Sequence, residues 1–423
     1  MKEILFPYGR DHVKGFVNED NLIGVMESKL AATEPSADQS EIVRNSLNSP
    51  IGTKRLGELA KGKKNVVVIS SDHTRPVPSK IIMPNIIKEI KEYEPDCKIT
   101  ILVATGCHRA TTKEELLERY GEDIVKNIPI VVHDCDDPEC VDMGTLPSGN
   151  RFFLNKTAAE ADLLVAEGFI EPHFFAGFSG GRKAVLPGVC ARGTVMYNHS
   201  AGFIADSNSR TGVLKNNPIH QDMCQAAQKA KLAFIVNVVL NAKKEIVGCF
   251  SGDSVAAHQE GVNFIKSLCA CKRQEADIVI TTNGGYPLDQ NVYQSVKGMS
   301  TAEMCCKEGG VIIILSKCND GHGAQSFYKM LKAEPDNQKL LEAILSRAPE
   351  NTIADQWQTQ IFLRVLTKFK VILVSDYDED LVRDMHLIPA KDVNQAIDMA
   401  LGIAGMDAKI LAIPDGVSTL IEQ

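Results

Sequence analysis

Short apolar runs that alternate with amphipathic segments constrain the fold of this chain more than any other feature. Residues 65–70, 98–104 and 128–133 are predicted strands. The first of them (NVVVIS) is β-branched and apolar on both faces, which is typical of a parallel strand covered by helices on both sides. Residues 79–93 keep their apolar side chains largely on one face and predict a helix between the first two strands. The alternation predicts an α/β fold with mostly parallel sheets flanked by helices.

The same pattern restarts late in the chain, where residues 276–285 (ADIVITTNGG) predict a new strand that ends in glycines. A chain of 423 residues is also too long for one compact core. We therefore predict two α/β domains with a cleft between them, an N-terminal domain over residues 1–270 and a C-terminal domain over residues 275–400. A return of residues 404–423 to the N-terminal domain is left open.

Composition excludes several classes of function. The formal net charge of −8 argues against a nucleic-acid surface, because such surfaces are usually basic. No run approaches the ~18 apolar residues that a membrane span needs, and the first residues, MKEILFPYGRD, lack the features of a signal peptide. We therefore expect a cytoplasmic protein with no nucleic-acid or membrane partner. Its 12 cysteines are expected to be reduced thiols, and none of the close pairs has the spacing of a structural zinc site.

Residues 171–188 (EPHFFAGFSGGRKAVLPG) form a glycine-rich segment directly after the apolar run 163–169. A buried strand that ends in such a turn leaves backbone N–H groups unpaired, and these groups together with Arg182 and Lys183 would bind an anion. We interpret the segment as a phosphate-binding turn with a reactive lysine at its exit. The alternative is a tight turn followed by a solvated basic pair, since the spacing differs from that of the usual phosphate loop.

Polar and ionisable residues collect at the ends of the predicted strands, where ligands gather in open α/β sheets. This set comprises Asp72, His73, Thr74 and Arg75 after the first strand, His108 after the second, and His173, Lys183, His199 and Lys297 farther along the chain. Each has an ordinary explanation by itself, such as an Arg75–Asp72 ion pair. Together they indicate acid/base chemistry on an anionic substrate with a phosphate-bearing cofactor.

At these positions the chain resembles the lactate racemase family, whose members use a nickel-pincer nucleotide. The matching segments lie in the same order as in the family and span most of the chain. They are SDHTRPVP (71–78), GCHR (106–109), EPHFFAGFSGGRKAVLPG (171–188), the helix with Asn198 and His199, and YQSVKG (293–298), with Trp357 as a weaker match.

The resemblance implies a role for each matched residue. Lys183 would carry the covalently attached cofactor, pyridinium-3,5-bisthiocarboxylic acid mononucleotide with Ni(II), and His199 would be the protein ligand of the nickel. His108 and His173 would form the acid/base pair. The residues implied for nucleotide binding are Asp72, His73, Thr74 and Arg75, and those for substrate binding are Arg75, Tyr293, Gln294, Lys297 and Trp357.

The resemblance also implies an isomerase, a racemase or epimerase that inverts C2 of a 2-hydroxy acid by proton-coupled hydride transfer through a 2-keto acid. Lactate is the default substrate, and malate, longer aliphatic, aromatic and sugar acids are alternatives. Cofactor-biosynthesis enzymes are expected partners, and the oligomeric state is left open. Two other classes remain for comparison: a phosphate-ligand-binding protein without redox chemistry, and a metal-dependent hydrolase that uses the histidines as zinc ligands.

Overall fold

The structure is a computed structural model, and it describes residues 1–422. Its strands are β1 Lys2–Tyr8, β2 Asp11–Val17, β3 Leu22–Val25, β4 Asn65–Ser71, β5 Lys98–Ala104, β6 Ile130–Val132, β7 Val141–Thr145, β8 Arg151–Leu154, β9 Leu163–Phe169, β10 Pro172–His173, β11 Gly177–Phe178, β12 Leu232–Leu240, β13 Ile246–Gly252, β14 Ala270–Lys272, β15 Ala276–Thr282, β16 Cys306–Leu315, β17 Lys370–Val374, β18 Ile388–Ala390, β19 Ile410–Ile413 and β20 Leu420–Glu422.

The helices alternate with these strands. They are α1 Gln39–Asn48, α2 Leu56–Ala60, α3 Ser79–Tyr93, α4 Lys113–Tyr120, α5 Glu122–Asn127, α6 Lys156–Ala159, α7 Arg192–Asn198, α8 Ala201–Ala205, α9 Pro218–Lys229, α10 Ala256–Cys269, α11 Val292–Ala302, α12 Gln325–Ala333, α13 Asn337–Leu345, α14 Gln356–Leu366, α15 Glu379–Asp384 and α16 Val393–Ala404, with 3-10 helices at Lys29–Ala32, Gly181–Ala184 and Pro349–Asn351. None of the helices within residues 1–422 combines the length and the apolar character that crossing a membrane requires.

The chain forms two compact units, each built from separate stretches of sequence. Unit 1 comprises residues 1–29, 200–212 and the chain from residue 269 onward, and unit 2 comprises residues 30–199 and 213–268. Each unit contains a six-stranded, mostly parallel sheet with helices packed on it. The predicted α/β class is therefore confirmed.

The unit 2 sheet has the strand order β13-β12-β9-β4-β5-β6, in which every pair is parallel except β12 with β13. Val43 of α1, Leu56 of α2 and Ile86 of α3 share one buried cluster with Val68 of β4 and Ile101 of β5. This helical layer covers one face of the sheet, and the 3-10 helix Gly181–Ala184 contacts β4, β9 and β12 as well.

The unit 1 sheet has the order β18-β17-β16-β15-β19-β3 and is parallel throughout. Its core joins Ile280 of β15 and Ile313 of β16 to Ala396 of α16, and the hairpin of β1 and β2 adds Phe6 and Val17. The carboxyl end of β15 leads into α11, which carries predicted substrate residues.

Two segments lie outside the domain predicted for them. The sequence left open whether residues 404–423 return to the N-terminal domain, and the described part, residues 404–422, belongs to unit 1, where β19 lies between β15 and β3. Residues 1–29 also belong to unit 1, since Leu22 of β3 pairs with Ile410 of β19 and gives that buried strand its second neighbour. Residues 200–212 belong to unit 1 as well, although they were assigned to the N-terminal domain.

The segment expected to be one helix with Asn198 and His199 is two helices, α7 and α8, and His199 is the residue that follows α7. The chain leaves the helical conformation after His199, and Ser200 is extended with φ −64° and ψ 158°. The boundary between the two units falls at the same point.

Candidate active site

The turn after β4 lies at the carboxyl edge of the unit 2 sheet and begins with Asp72. Asp72 is only 2% exposed, yet both of its carboxylate oxygens have polar partners. Oδ1 accepts hydrogen bonds from the hydroxyl of Thr74 at 2.6 Å and from its backbone N–H at 3.2 Å. Oδ2 lies 2.8 Å from Nδ1 of His108, which follows the neighbouring strand β5. The fold thus joins two of the predicted site segments through a direct side-chain contact.

The electrostatics of this contact determine the state of both groups. Burial raises the pKa of Asp72, but the hydrogen bond and charge of His108, with the charge of Arg75 and the hydroxyl of Thr74, outweigh burial and lower the pKa to about 2. Asp72 is therefore ionised at neutral pH. A carboxylate facing Nδ1 places the proton of the neutral His108 ring on Nδ1 and leaves Nε2 as the basic nitrogen. The side chain of His108 is 47% exposed, so a small molecule can reach it.

Arg75 and Arg119 complete the turn. The guanidinium of Arg75 donates to the hydroxyl of Thr74 at 2.9 Å, whereas the expected ion pair was with Asp72. Arg119 of α4 donates to the backbone oxygens of Asp72 and Arg75, each at 2.6 Å. Sequence reasoning missed Arg119, because nothing local distinguishes it from an ordinary helix surface charge.

His73 points toward the start of α4. Its Nδ1 lies 3.4 Å from the hydroxyl of Thr111 and 3.7 Å from the carboxylate of Glu115. Burial is the main cause of its lowered pKa, so the ring is neutral at physiological pH. Thr112 and Glu115 form a capping box at the start of this helix.

The glycine-rich turn follows β9 and begins with the short hairpin of β10 and β11. A side chain at Gly177, where φ is +79°, would collide with the backbone oxygen of Val213. The N–H of Gly181 donates to Oδ1 of Asn237 at 2.7 Å, and that of Lys183 donates to the oxygen of Gly180 at 3.1 Å. These two N–H groups therefore already have partners within the protein, so the prediction that the turn presents unpaired N–H groups is wrong for them.

Arg182 fits neither sequence interpretation, since it is neither a solvated cation nor an accessible anion ligand. It is 3% exposed and donates to the backbone oxygens of Ala176 (2.8 Å) and Gly180 (3.2 Å). Its Nη1 also lies 3.0 Å from Nε2 of His258 on α10. Burial lowers the pKa of Arg182 to about 10. Arg182 therefore links the carbonyl groups of the turn to one another. Sequence reasoning missed His258 and Asn237, because each is only a polar residue within an apolar segment.

Lys183 lies beside an aromatic cluster that contains both predicted histidines of this region. The ring centroids of His173 and Phe175 are 4.5 Å apart, and those of Phe175 and His199 are 5.2 Å apart, both edge to face. Nζ of Lys183 lies 3.4 Å from Nε2 of His173 and 5.6 Å from the centroid of Phe175. The structure thus brings His173, Lys183 and His199 together around Phe175, which sequence reasoning had not singled out.

His199 has the chemistry of a metal ligand. Its Nδ1 lies 3.0 Å from the backbone oxygen of Val195, which assigns the ring proton to Nδ1 and makes Nε2 the nitrogen with the lone pair. Burial, followed by the positive charge of Lys183, lowers the pKa of His199 to about 3. A neutral imidazole oriented through Nδ1 is the form that binds a transition metal.

Of the predicted substrate residues, Arg75 lies in unit 2 and the other four lie in unit 1. Tyr293 and Gln294 lie in the first turn of α11 and Lys297 in its second turn, and Trp357 lies in the first turn of α14. The Oε1 atom of Gln294 is buried and has no hydrogen-bond partner among the residues that the structure describes. This side chain can therefore still accept a hydrogen bond from a ligand.

The loop over residues 319–323 caps α11. The backbone oxygens of Gly321 and His322 accept hydrogen bonds from the N–H groups of Val292 (3.1 Å) and Tyr293 (3.2 Å). The loop thereby fixes the first turn of α11, which carries Tyr293 and Gln294.

The histidines do not form a zinc site. Within residues 1–422, the one group of three potential ligand side chains within 4.8 Å of one another is Asp134, Cys135 and Asp136. No site histidine belongs to that group, and Asp136 is engaged in an ion pair with Arg192 at 2.6 Å. The hydrolase alternative therefore lacks the geometry it requires.

Comparisons with known proteins agree with this arrangement. Family models described as the lactate racemase N-terminal and C-terminal domains match residues 8–212 and 271–421. Curated lactate racemases from Thermoanaerobacterium thermosaccharolyticum and Lactiplantibacillus plantarum are each 49% identical to the chain, with both chains covered in full.

Solved structures lead to the same family. The lactate racemase apoprotein from T. thermosaccharolyticum matches with a TM-score of 0.97 at 49% identity over the full length of both chains. A protein from Thermotoga maritima shares the fold, with a TM-score of 0.68 at 20% identity, covering 91% of this chain and 99% of its own. The chain therefore belongs to the lactate racemase family of isomerases.

Proposed function

We propose that this protein interconverts the two configurations at C2 of a 2-hydroxy acid, with lactate as its substrate. The observation that carries the proposal is the arrangement of unit 2, in which His108 and His173 follow separate strands at the carboxyl edge of one sheet. A racemase must handle a proton on either face of its substrate and so needs two such groups, whereas a dehydrogenase of one handedness needs one. The names of the relatives and the family of the chain support lactate as the substrate.

The residues around Lys183 fit a nickel-pincer nucleotide. His199 offers a neutral, oriented imidazole to the metal. Lys183 is the attachment residue, and residues 72–75 hold the nucleotide. When bound, the cofactor supplies a reversible hydride acceptor, which allows the C2–H bond to break without a carbanion beside the carboxylate.

His108 and His173 move the hydroxyl proton. Asp72 keeps Nδ1 of His108 protonated, so that Nε2 accepts the proton when the hydroxyl becomes a carbonyl. The N–H of Ala176 donates to Nδ1 of His173 at 3.3 Å, so Nε2, which lies 3.4 Å from Nζ of Lys183, is the nitrogen for proton transfer. After the keto acid turns, the second histidine returns a proton to the carbonyl oxygen from the other side of the substrate.

The residues of unit 1 bind and orient the substrate. Lys297 is the candidate in unit 1 for pairing with the substrate carboxylate, and Arg75 is the candidate in unit 2. Gln294 accepts a hydrogen bond from the hydroxyl through its buried Oε1. The rings of Tyr293 and Trp357 shape the pocket and exclude water. The Tyr293 ring is itself held edge to face against Phe327, with a centroid distance of 5.6 Å.

We expect the enzymes that make the cofactor to be the partners that load it onto this protein. We place the reaction in the cytoplasm, because a chain with 12 cysteines suits a reducing compartment.

The test is intact-protein mass spectrometry with metal analysis on protein produced together with the cofactor-making enzymes. We expect a mass increment with nickel in the wild type and its loss in Lys183→Ala. Lys156→Ala, which removes an exposed lysine of the same unit, should retain both. Chiral analysis with lactate, malate, and aliphatic, aromatic and sugar 2-hydroxy acids then identifies the substrate. Unmodified, nickel-free wild-type protein from a host that loads a known family member would contradict the proposal.

A further inference from the structure

Two cysteines that the proposed reaction does not use follow neighbouring parallel strands at matching positions. β5 ends at Ala104 and β6 at Val132, and Cys107 and Cys135 each come three residues later. Val103 and Val132 are direct partners in the sheet. Because the strands are parallel and in register, the two turns that follow them run side by side.

Hydrogen bonds fix the two turns against each other. The hydroxyl of Thr105 donates to the backbone oxygen of His133 at 2.7 Å. The N–H of Arg192 donates to the backbone oxygen of Cys135 at 2.8 Å. The cysteines are therefore held in place by their backbones, and their proximity does not depend on a mobile loop.

The thiols of Cys107 and Cys135 interact with each other, and this interaction lowers the pKa of Cys135 and raises that of Cys107. Cys135 is buried and Cys107 is partly exposed, so that a small oxidant reaches the pair from the Cys107 side. The guanidinium of Arg192 interacts with both sulfur atoms and is itself held by Asp136 at 2.6 and 2.7 Å. Its charge adds to the effect of Cys107 in favouring the thiolate of Cys135, which is the form that attacks an oxidised sulfur.

We propose that Cys107 and Cys135 are a modification site that forms a reversible disulfide under hydrogen peroxide. Peroxide first oxidises one thiol to a sulfenic acid and is reduced to water. The second thiolate then attacks that sulfur, forms the S–S bond and displaces hydroxide, which leaves as a second water after protonation. In total, two thiols and one peroxide give one disulfide and two waters, and a dithiol reductant reverses the reaction.

The disulfide would act on the neighbouring residue, His108. Closing the bond brings the sulfur atoms to about 2.05 Å, which is closer than a hydrogen bond between thiols allows. The turn that must move is tied to its surroundings by the hydrogen bonds from Gly106 N–H to the oxygen of Gly188 and from His108 N–H to the oxygen of Thr105. Because Cys107 directly precedes His108, we expect this movement to disturb the contact of His108 with Asp72. This consequence rests on the proposed function, whereas the disulfide itself does not.

The primary test is peptide mass spectrometry of the wild-type protein after peroxide treatment and alkylation of the remaining thiols. Trypsin places Cys107 in the peptide of residues 99–109, and Cys135 in the peptide of residues 127–151 together with Cys140. We expect these peptides to be joined through Cys135, to separate on reduction, and to remain joined in Cys140→Ser. Absence of the linked peptide, or a link through Cys140, would overturn the proposal.

The effect on catalysis is tested on the loaded enzyme. We expect peroxide to reduce the kcat of the wild type on the order of a hundredfold, the loss that a 1 Å displacement near the chemistry can cause, and dithiothreitol to restore it. Cys135→Ser should keep both its initial activity and its activity after peroxide. Full activity of fully disulfide-linked enzyme would refute the action on His108. The peptide analysis uses the wild-type protein. It therefore decides whether the disulfide forms even if the chain is inactive as a racemase or if Cys135→Ser does not fold.

Discussion

Asp72 shows how a single residue can be assigned a different role by its surroundings. The resemblance implied that Asp72 is one of four residues that bind the nucleotide, and its carboxylate is buried and bonded to Thr74 and His108. A buried carboxylate bonded to one nitrogen of an imidazole fixes its tautomer and stabilises the imidazolium that forms when the ring takes a proton. We interpret Asp72 as the residue that orients His108, while the backbone of its turn remains available to the nucleotide.

This interpretation predicts the effect of Asp72→Asn. The substitution keeps the shape of the side chain but removes the charge that stabilises protonated His108, so we expect kcat to fall by roughly 10²–10⁴-fold. The KM for lactate and the nickel content should change little. Asp142→Asn, which breaks an exposed ion pair with Arg151 in the same unit, should leave kcat unchanged. Steady-state kinetics at several pH values checks this, and an unaltered kcat in Asp72→Asn would refute the orienting role.

At the scale of elements, the glycine-rich turn depends on residues far away in the sequence. Oδ1 of Asn237, in the middle of β12, accepts the N–H of Gly181 at 2.7 Å. Arg182 binds the carbonyl groups of the same turn from the other side. The position of Lys183 is therefore set by a neighbouring strand as well as by its own glycines.

Asn237→Ala tests this dependence. The substitution leaves the buried N–H of Gly181 without an acceptor, and we expect the free energy of unfolding of the cofactor-free protein to fall by about 1–3 kcal/mol. Asn127→Ala, at an exposed position of α5, should change it by no more than about 0.5 kcal/mol. Urea denaturation of the three proteins provides the comparison. Equal losses in both variants would show that Asn237 has no special role in holding the turn.

Local patterns explain which elements could be predicted. The bounds predicted for α3, β5 and β9 agree with the structure to the residue, because apolar periodicity and caps are properties of the segment itself. The break between α7 and α8 was missed, since it lies where the chain passes from one compact unit to the other. The contact of Arg182 with His258 was also missed, because the two residues are 76 positions apart and only tertiary structure brings them together.

At the scale of the whole molecule, unit 2 folds around uncharged histidines and a buried cation. His258 packs against Arg182, and His220 lies near the same guanidinium and beside Cys224. Burial, and then the charge of Arg182, lowers the pKa of both histidines to about 3. Glu167, fully buried and bonded to the hydroxyls of Ser70 and Ser79, has a raised pKa for the same reason, since burial penalises its charged form.

These shifts predict that unit 2 loses stability as the pH falls below about 6.5. Between that value and about 3, the unfolded chain takes up protons on His220 and His258 that the folded protein excludes. The free energy of unfolding therefore decreases with falling pH, by at most ~1.4 kcal/mol per pH unit for each histidine.

His220→Gln removes one of these two titrating groups and should reduce the slope of the unfolding free energy against pH by up to that amount. His12→Gln, at an exposed position of β2, should leave the slope unchanged. Urea denaturation of the cofactor-free proteins at pH 7, 6, 5 and 4 measures the slopes, and parallel curves for the wild type and His220→Gln would contradict the prediction. The raised pKa of Glu167 has the opposite sign, because it favours the folded state at low pH, but it is common to all three proteins and cancels in the comparison.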